Sequence, residues 1–91
     1  MVIGFAWYSL KDWVRLKAVA DDPEKLDDTY VAWVKQAERS ITTLRSSGLD
    51  VRRVPVDMTE LERWCLEHDV PNTGESRAMF VAEKAREGLF L

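Results

Sequence analysis

The chain begins with a short apolar run, and this run limits the folds that the sequence can adopt. Residues 2–8 read Val-Ile-Gly-Phe-Ala-Trp-Tyr and carry no charge. Seven residues are too few for an independent helix, and the β-branched and aromatic side chains favour a buried strand. One face of this strand carries only small residues at Gly4 and Ala6, so we expect a helix or another backbone to pack closely there. The other face carries the larger side chains of Ile3, Phe5 and Trp7.

Four later segments have apolar residues at spacings of three and four, the pattern of amphipathic helices. The predicted helices cover about 10–19, 29–47, 59–67 and 72–87, with a short turn at Pro23 capped by Asp22. In the first helix, the residues predicted to face the core are Leu10, Trp13, Val14 and Ala18. The longest helix is capped by Asp27 or Asp28, and its predicted core-facing residues are Tyr30, Val34, Ala37, Ile41 and Leu44, with Trp33 beside them. The last helix is capped by Asn72, and its predicted core-facing residues are Ala78, Val81, Ala82 and Ala85.

A second strand is predicted over residues 49–57, because Val51, Val54 and Val56 are β-formers and aspartates flank the segment. Pro55 cannot donate a ladder hydrogen bond, so this strand should have an open edge there. The order is then β-α-α-β-α-α over a single domain, residues 1–91. We predict a small two-layer α+β fold in which helices cover one face of a two-stranded sheet. Two helices between the strands favour an antiparallel pair, although a crosswise first helix would make the pair parallel.

The charge balance argues against nucleic-acid binding. Thirteen Lys and Arg residues stand against sixteen Asp and Glu residues, which gives a net charge of −3. Arg52 and Arg53 are the only adjacent basic pair, and they carry the weaker alternative of a nucleic-acid-associated regulator. No apolar run is long enough for a membrane span, and no signal peptide is recognisable. The single cysteine, Cys65, suits a reducing compartment, so we expect a cytoplasmic protein.

One pair of residues could support catalysis. Cys65 and His68 are three residues apart on a predicted helix, which places the thiol and the imidazole on one face. An adjacent imidazolium would lower the pKa of the thiol and create a nucleophile, as in a thiol enzyme or a redox sensor. The competing interpretation is that Cys65 continues an apolar stripe from Leu61 and is a small core residue. We favour the core interpretation because no glycine-rich oxyanion loop accompanies the pair.

Metal and cofactor sites are not expected. One cysteine and one histidine are too few for a zinc site. The acidic residues between positions 21 and 28 lack the spacing and the central glycine of a calcium loop, so helix capping and a solvated loop explain them better. The four glycines form no phosphate-binding motif.

Large aromatic side chains are abundant for a core of this size. The chain has four Trp, two Tyr and three Phe residues, and each ring buries roughly 150–250 Å². Some of these rings should therefore lie at an interface or in a groove, where Trp and Tyr are enriched. The candidate interface residues are Ile3, Phe5, Trp7, Trp13 and Trp33.

Several motifs occur together in a recognisable order. Asp28-Thr29-Tyr30-x-x-Trp33 is followed by Val51-x-x-Val54-x-Val56-Asp57, then by Trp64-Cys65 and Arg77-Ala78-x-Phe80. In this order the chain resembles a group of short bacterial proteins of similar length. The resemblance implies a bacterial, intracellular, stand-alone domain, and it implies no activity or catalytic residue.

The leading hypothesis is a small bacterial binding or interaction protein that works as a homodimer. It depends on the excess of rings, on open strand edges and on the lack of a catalytic constellation. We place the contact near the first strand, either by pairing of strands or by packing of the Ile3, Phe5 and Trp7 face.

Overall fold

The computed structural model describes all 91 residues and contains two strands and four helices. The α+β class and the order β-α-α-β-α-α are confirmed. The strands are β1 (Val2–Trp7) and β2 (Asp50–Pro55). The helices are α1 (Leu10–Val19), α2 (Tyr30–Ser46), α3 (Met58–Glu67) and α4 (Gly74–Arg86), with a 3-10 turn at Pro23–Lys25.

Three of the four helices start at a side chain that accepts a hydrogen bond from the first turn. Ser9, Thr29 and Asp57 cap α1, α2 and α3 in this way. At the start of α4, the N–H of Thr73 donates to the hydroxyl of Ser76 at 2.9 Å. The predicted caps at Asp27 or Asp28 for α2 and at Asn72 for α4 are wrong by one or two residues. Gly48 ends α2 with a φ of +87°, the left-handed conformation expected of a C-terminal glycine.

The two strands are parallel, so the prediction of an antiparallel pair is wrong. Val2 lies opposite Asp50, and the register continues to Trp7 opposite Pro55. The physical reason is the position of α1, which packs against α2, α3 and the 3-10 turn. Only α2 returns the chain along the sheet, and a single returning helix makes a parallel crossover.

Both faces of β2 are covered. Val51 and Val54 are an odd number of residues apart and point to opposite faces, yet both are fully buried. Helix α2 contacts β2, whereas α4 packs mainly against β1. The sheet therefore has helices against more than the one face that the sequence suggested. The larger core lies on the Val54 side, where it includes Leu16, Leu61 and Phe80.

The inward faces of two helices differ from the prediction. In α1, Trp13 and Leu16 are buried, and this leaves Leu10 and Val14 57% and 61% exposed. The packing direction lies between Trp13 and Leu16, so Val14 and Ala18 face solvent. In α4, Phe80 packs against Trp64 of α3. This contact directs the Phe80 side of the helix towards the core, and Ala78 and Ala82 are exposed.

Candidate interaction site at the edge of strand β1

The outer edge of β1 carries backbone groups without a partner. The N–H of Val56 donates to the carbonyl of Trp7 at 3.0 Å, so the Trp7 carbonyl faces β2. Successive carbonyls of a strand point in opposite directions, and the carbonyl and N–H groups of Val2, Gly4 and Ala6 therefore face away from β2. No backbone or side-chain group of the protein bonds to them at this outer edge.

The outer edge of β2, by contrast, is covered. The guanidinium of Arg45 donates to the carbonyl of Val51 at 2.8 and 3.2 Å. The N–H of Leu91 donates to the carbonyl of Arg53 at 2.7 Å. The nitrogen of Pro55 also lies on this outer side, so the proline removes no hydrogen bond between the strands. The protein protects one edge of its sheet and leaves the other available.

A groove of about 320 Å³ runs beside the available edge. Phe5 and Ala6 of β1 form one wall, and Ala78 and Val81 of α4 form another. Tyr8, Leu26 and Trp33 close the groove towards the turn and α2. An extended chain that pairs with β1 would therefore lie between apolar walls on both faces of the sheet.

The aromatic residues form a cluster around Trp33 of α2. The centre of its ring lies 5.1 to 5.7 Å from the ring centres of its four neighbours, Trp7, Tyr8, Trp13 and Tyr30. Trp13 is only 3% exposed and belongs to the core, so it is not free to form an interface. Of the five candidate interface residues, the half-buried ones are Ile3, Phe5, Trp7 and Trp33.

The adjacent arginines of β2 point to opposite faces, and both already have partners. Arg52 forms an ion pair of 2.8 Å with Asp50, and the guanidinium lowers the pKa of that carboxyl group. Arg53 places its guanidinium 4.3 Å from the ring centre of Trp7, in a cation–π contact. This arrangement offers no joint basic surface for a phosphate backbone.

A buried ion pair fixes the end of the groove. The carboxylate of Asp22 accepts two hydrogen bonds from the guanidinium of Arg77, at 2.8 and 3.1 Å, and one from the N–H of Gly74 at 2.8 Å. Arg77 also donates to the side-chain oxygen of Asn72 at 3.0 Å. Asp22 is the N-cap residue of the 3-10 turn, as predicted, but its side chain is buried rather than solvated and bonds to α4 instead of to the turn. Burial raises the pKa of the nearby Tyr8 to about 12, although Arg77 works in the opposite direction.

Cys65 and His68 lie on the expected helix, but their environments do not favour a reactive thiol. Cys65 is 6% exposed, and burial raises the pKa of its thiol, whereas an activated cysteine needs a lowered pKa. The ring of His68 stacks on Trp64, and its Nδ1 lies 2.8 Å from the Trp64 carbonyl oxygen. These contacts favour the interpretation of Cys65 as a core residue.

Two parts of this site were missed at the level of the sequence. The apolar pattern of the sequence does not show which edge of a two-stranded sheet is covered, because the covering groups on β2 are a charged side chain, Arg45, and the backbone N–H of Leu91. The pairing of Asp22 with Arg77 did leave a signal. Arg77 lies four residues before Val81 on the inward face of α4, and a charge at such a position indicates a buried partner.

No family model matches the chain, and neither a curated protein nor a solved structure matches it at a significant level. The resemblance to short bacterial proteins therefore stays a prediction. None of the four helices combines the length and the apolar character that a membrane crossing needs.

Proposed function

We propose that the protein is a small interaction protein of the bacterial cytoplasm whose working unit is a homodimer, formed by pairing of the β1 edges. The observation that carries this proposal is the difference between the two edges of the sheet. Arg45 and Leu91 cover β2, whereas β1 offers unbonded backbone groups and has no charge, proline or bulge to discourage pairing.

The edge of β1 is complementary to a second copy of itself. A two-fold axis beside Gly4 would place Gly4 opposite the partner's Gly4 and Val2 opposite the partner's Ala6. All three residues direct their N–H and carbonyl groups outward, so each would form a hydrogen-bonded pair of an antiparallel ladder. Each such pair exchanges two bonds, and the contact would add about six hydrogen bonds to make a continuous four-stranded sheet.

Pairing of edges explains the site better than packing of the Ile3, Phe5 and Trp7 face. The guanidinium of Arg53 already lies over the ring of Trp7, so packing that face against its copy would bring two arginines together. Edge pairing instead leaves this contact in place. It also sets Phe5 beside the partner's Ile3, an apolar cross-strand pair.

The proposal is tested by light scattering on the protein and on one edge variant, Ala6→Pro. The N–H of Ala6 faces outward, so proline there removes a bond of the proposed ladder and none between β1 and β2. We expect wild type at about twice the chain mass of 10.5 kDa at micromolar concentration, and the variant near one chain mass. Circular dichroism checks that the variant keeps its helices.

Phe5→Lys is a second variant of the same test, because it places a charge beside the partner's Ile3. We expect a shift towards the monomer. A wild-type mass of one chain throughout the micromolar range would refute the homodimer. A folded Ala6→Pro variant that remains fully dimeric would refute the contact at β1.

A further inference from the structure

We propose that α4 forms a second contact of the dimer, in which Glu75 of each subunit pairs with the partner's Arg86. This inference rests on the proposed homodimer and adds to it the surface that fixes its geometry. A stable interface buries more than about 1,000 Å² of surface, and two paired strands of six residues provide less than that. Another element beside β1 must take part.

Helix α4 is the element in the right position. It packs mainly against β1, and Ala78 and Val81 line the groove along the open edge. Gly4, beside the proposed two-fold axis, packs closely against this helix, since a Cβ atom at Gly4 would be 2.9 Å from Cγ1 of Val81 and 3.0 Å from Cβ of Ala85. Pairing of the strands would therefore bring the two copies of α4 side by side under the sheet.

One row of exposed residues on α4 fits a second copy of the helix. Glu75, Ala78, Ala82 and Arg86 follow one another at spacings of three, four and four residues, which places them on one side of the helix. Neighbouring strands are about 4.8 Å apart whereas packed helices need about 8–10 Å. Each copy of α4 must therefore lie towards its own β2, which it also contacts, and the helix sides that meet must carry small side chains. Alanine occupies the two central positions.

The charges at the two ends of this row match an antiparallel partner. A two-fold axis makes the two copies of α4 antiparallel, so the start of one helix lies beside the end of the other. Glu75 is in the first turn and Arg86 in the last. Neither residue has an ion-pair partner within the subunit. With the alanines centred on the axis, each carboxylate lies beside the partner's guanidinium.

Charge reversal tests the pairing by analytical ultracentrifugation at low salt. We expect Glu75→Arg and Arg86→Glu each to raise the dimer dissociation constant about 3- to 30-fold, because two exposed attractive pairs become repulsive. The double variant exchanges the charges and should return to within about threefold of wild type. The single-variant effects should shrink as salt is raised.

A steric variant tests the same surface without charge. Ala78→Trp should shift the dimer to monomer, and Ala18→Trp, at an exposed position of α1, is the matched control that should not. If the charge-reversal variants and Ala78→Trp all form dimers as tightly as wild type does, the α4 contact is overturned. If those variants are dimeric and Ala6→Pro is monomeric, the pairing of β1 stands without it. A monomeric wild type would overturn both proposals.

Discussion

Asp22 and Arg77 are 55 residues apart in the chain and form a bidentate ion pair that is almost completely buried, with side chains only 7% and 10% exposed. The pair joins the turn after α1 to the start of α4. Removing one partner of a buried pair leaves the other charged and without compensation. We therefore expect Arg77→Ala to lower the free energy of unfolding by about 3–5 kcal/mol, measured by urea denaturation.

The same pair should make stability depend on pH in the acidic range. The hydrogen bonds from Arg77 are the largest effect on Asp22, and they hold the pKa of its carboxyl group below the ordinary value of 3.8. A carboxyl group with a lowered folded pKa stabilises the fold fully above its unfolded pKa. This contribution is lost as the pH falls below about 4 and through the lowered pKa.

Urea denaturation of wild type and Asp22→Asn between pH 6 and pH 2 measures this dependence. The variant should be less stable at pH 6, and the difference between the two proteins should shrink towards pH 2. Asp50→Asn is the control, because Asp50 also has an arginine partner but is exposed. A constant difference between wild type and Asp22→Asn over this range would show that Asp22 does not titrate with unfolding.

Gly4 is required by the close approach of α4 to β1. A Cβ atom there would lie 2.9 Å from Val81 Cγ1 and 3.0 Å from Ala85 Cβ, so these side chains would have to shift to accept it. We expect Gly4→Ala to destabilise the protein by about 1–3 kcal/mol through overpacking. Val81→Ala in the same chain should recover part of this loss. Gly74→Ala, where the nearest atom is 3.7 Å from the Cβ, is the control and should cost nothing.

The thiol of Cys65 should react slowly in the folded protein. It is buried, and burial raises its pKa, so little thiolate is present at pH 7. Iodoacetamide labelling followed by mass spectrometry should be at least about tenfold slower than for an exposed thiol. Leu66→Cys in a Cys65→Ser background provides that exposed thiol on the same helix. Rapid labelling of Cys65 would instead support the thiol-enzyme alternative with His68.

Trp33 should be among the most costly residues to truncate, because four aromatic rings surround it. We expect Trp33→Ala to lower the free energy of unfolding by about 3–5 kcal/mol, a large part of the total for a domain of this size. The thermal transition should broaden or disappear. Leu66→Ala, at a position 82% exposed, serves as the control. A Trp33→Ala melting curve like that of wild type would show that the ring cluster contributes little to the fold.

Local patterns in the sequence were sufficient for the elements but not for their arrangement. Helix periodicity and the glycine at position 48 predicted the helices to within a few residues, because these signals are local. The strand direction depended on where α1 packs, which is decided by Trp13 and Leu16 meeting partners from α2 and α3. The packing of small residues on the Gly4 face was also predicted, since only small side chains allow such close approach.

The candidate site was harder to predict, because it too depends on how the elements are arranged and not on a local pattern. The aromatic run pointed to β1, and Ile3, Phe5 and Trp7 do lie half-buried there. The open edge itself became visible only once Arg45 and Leu91 were found on the opposite edge. Leu91 reaches Arg53 from a distant part of the chain, and Arg45 reaches Val51 from the last turn of α2, but neither contact follows from the apolar periodicity of the sequence.

Cysteine cross-linking tests the pairing of β1 most directly, because it reports the register as well as the contact. In the proposed ladder, Ile3 lies opposite the partner subunit's Phe5 in a pair without hydrogen bonds, about 4.5 Å apart between Cα atoms, a distance that a disulfide can span. Ile3→Cys protein mixed with Phe5→Cys protein should form a disulfide-linked heterodimer on oxidation, and neither protein should form linked dimers efficiently alone. The native Cys65 is buried and should not interfere. Equal cross-linking in the mixture and in the separate proteins, or none in any of them, would contradict the account.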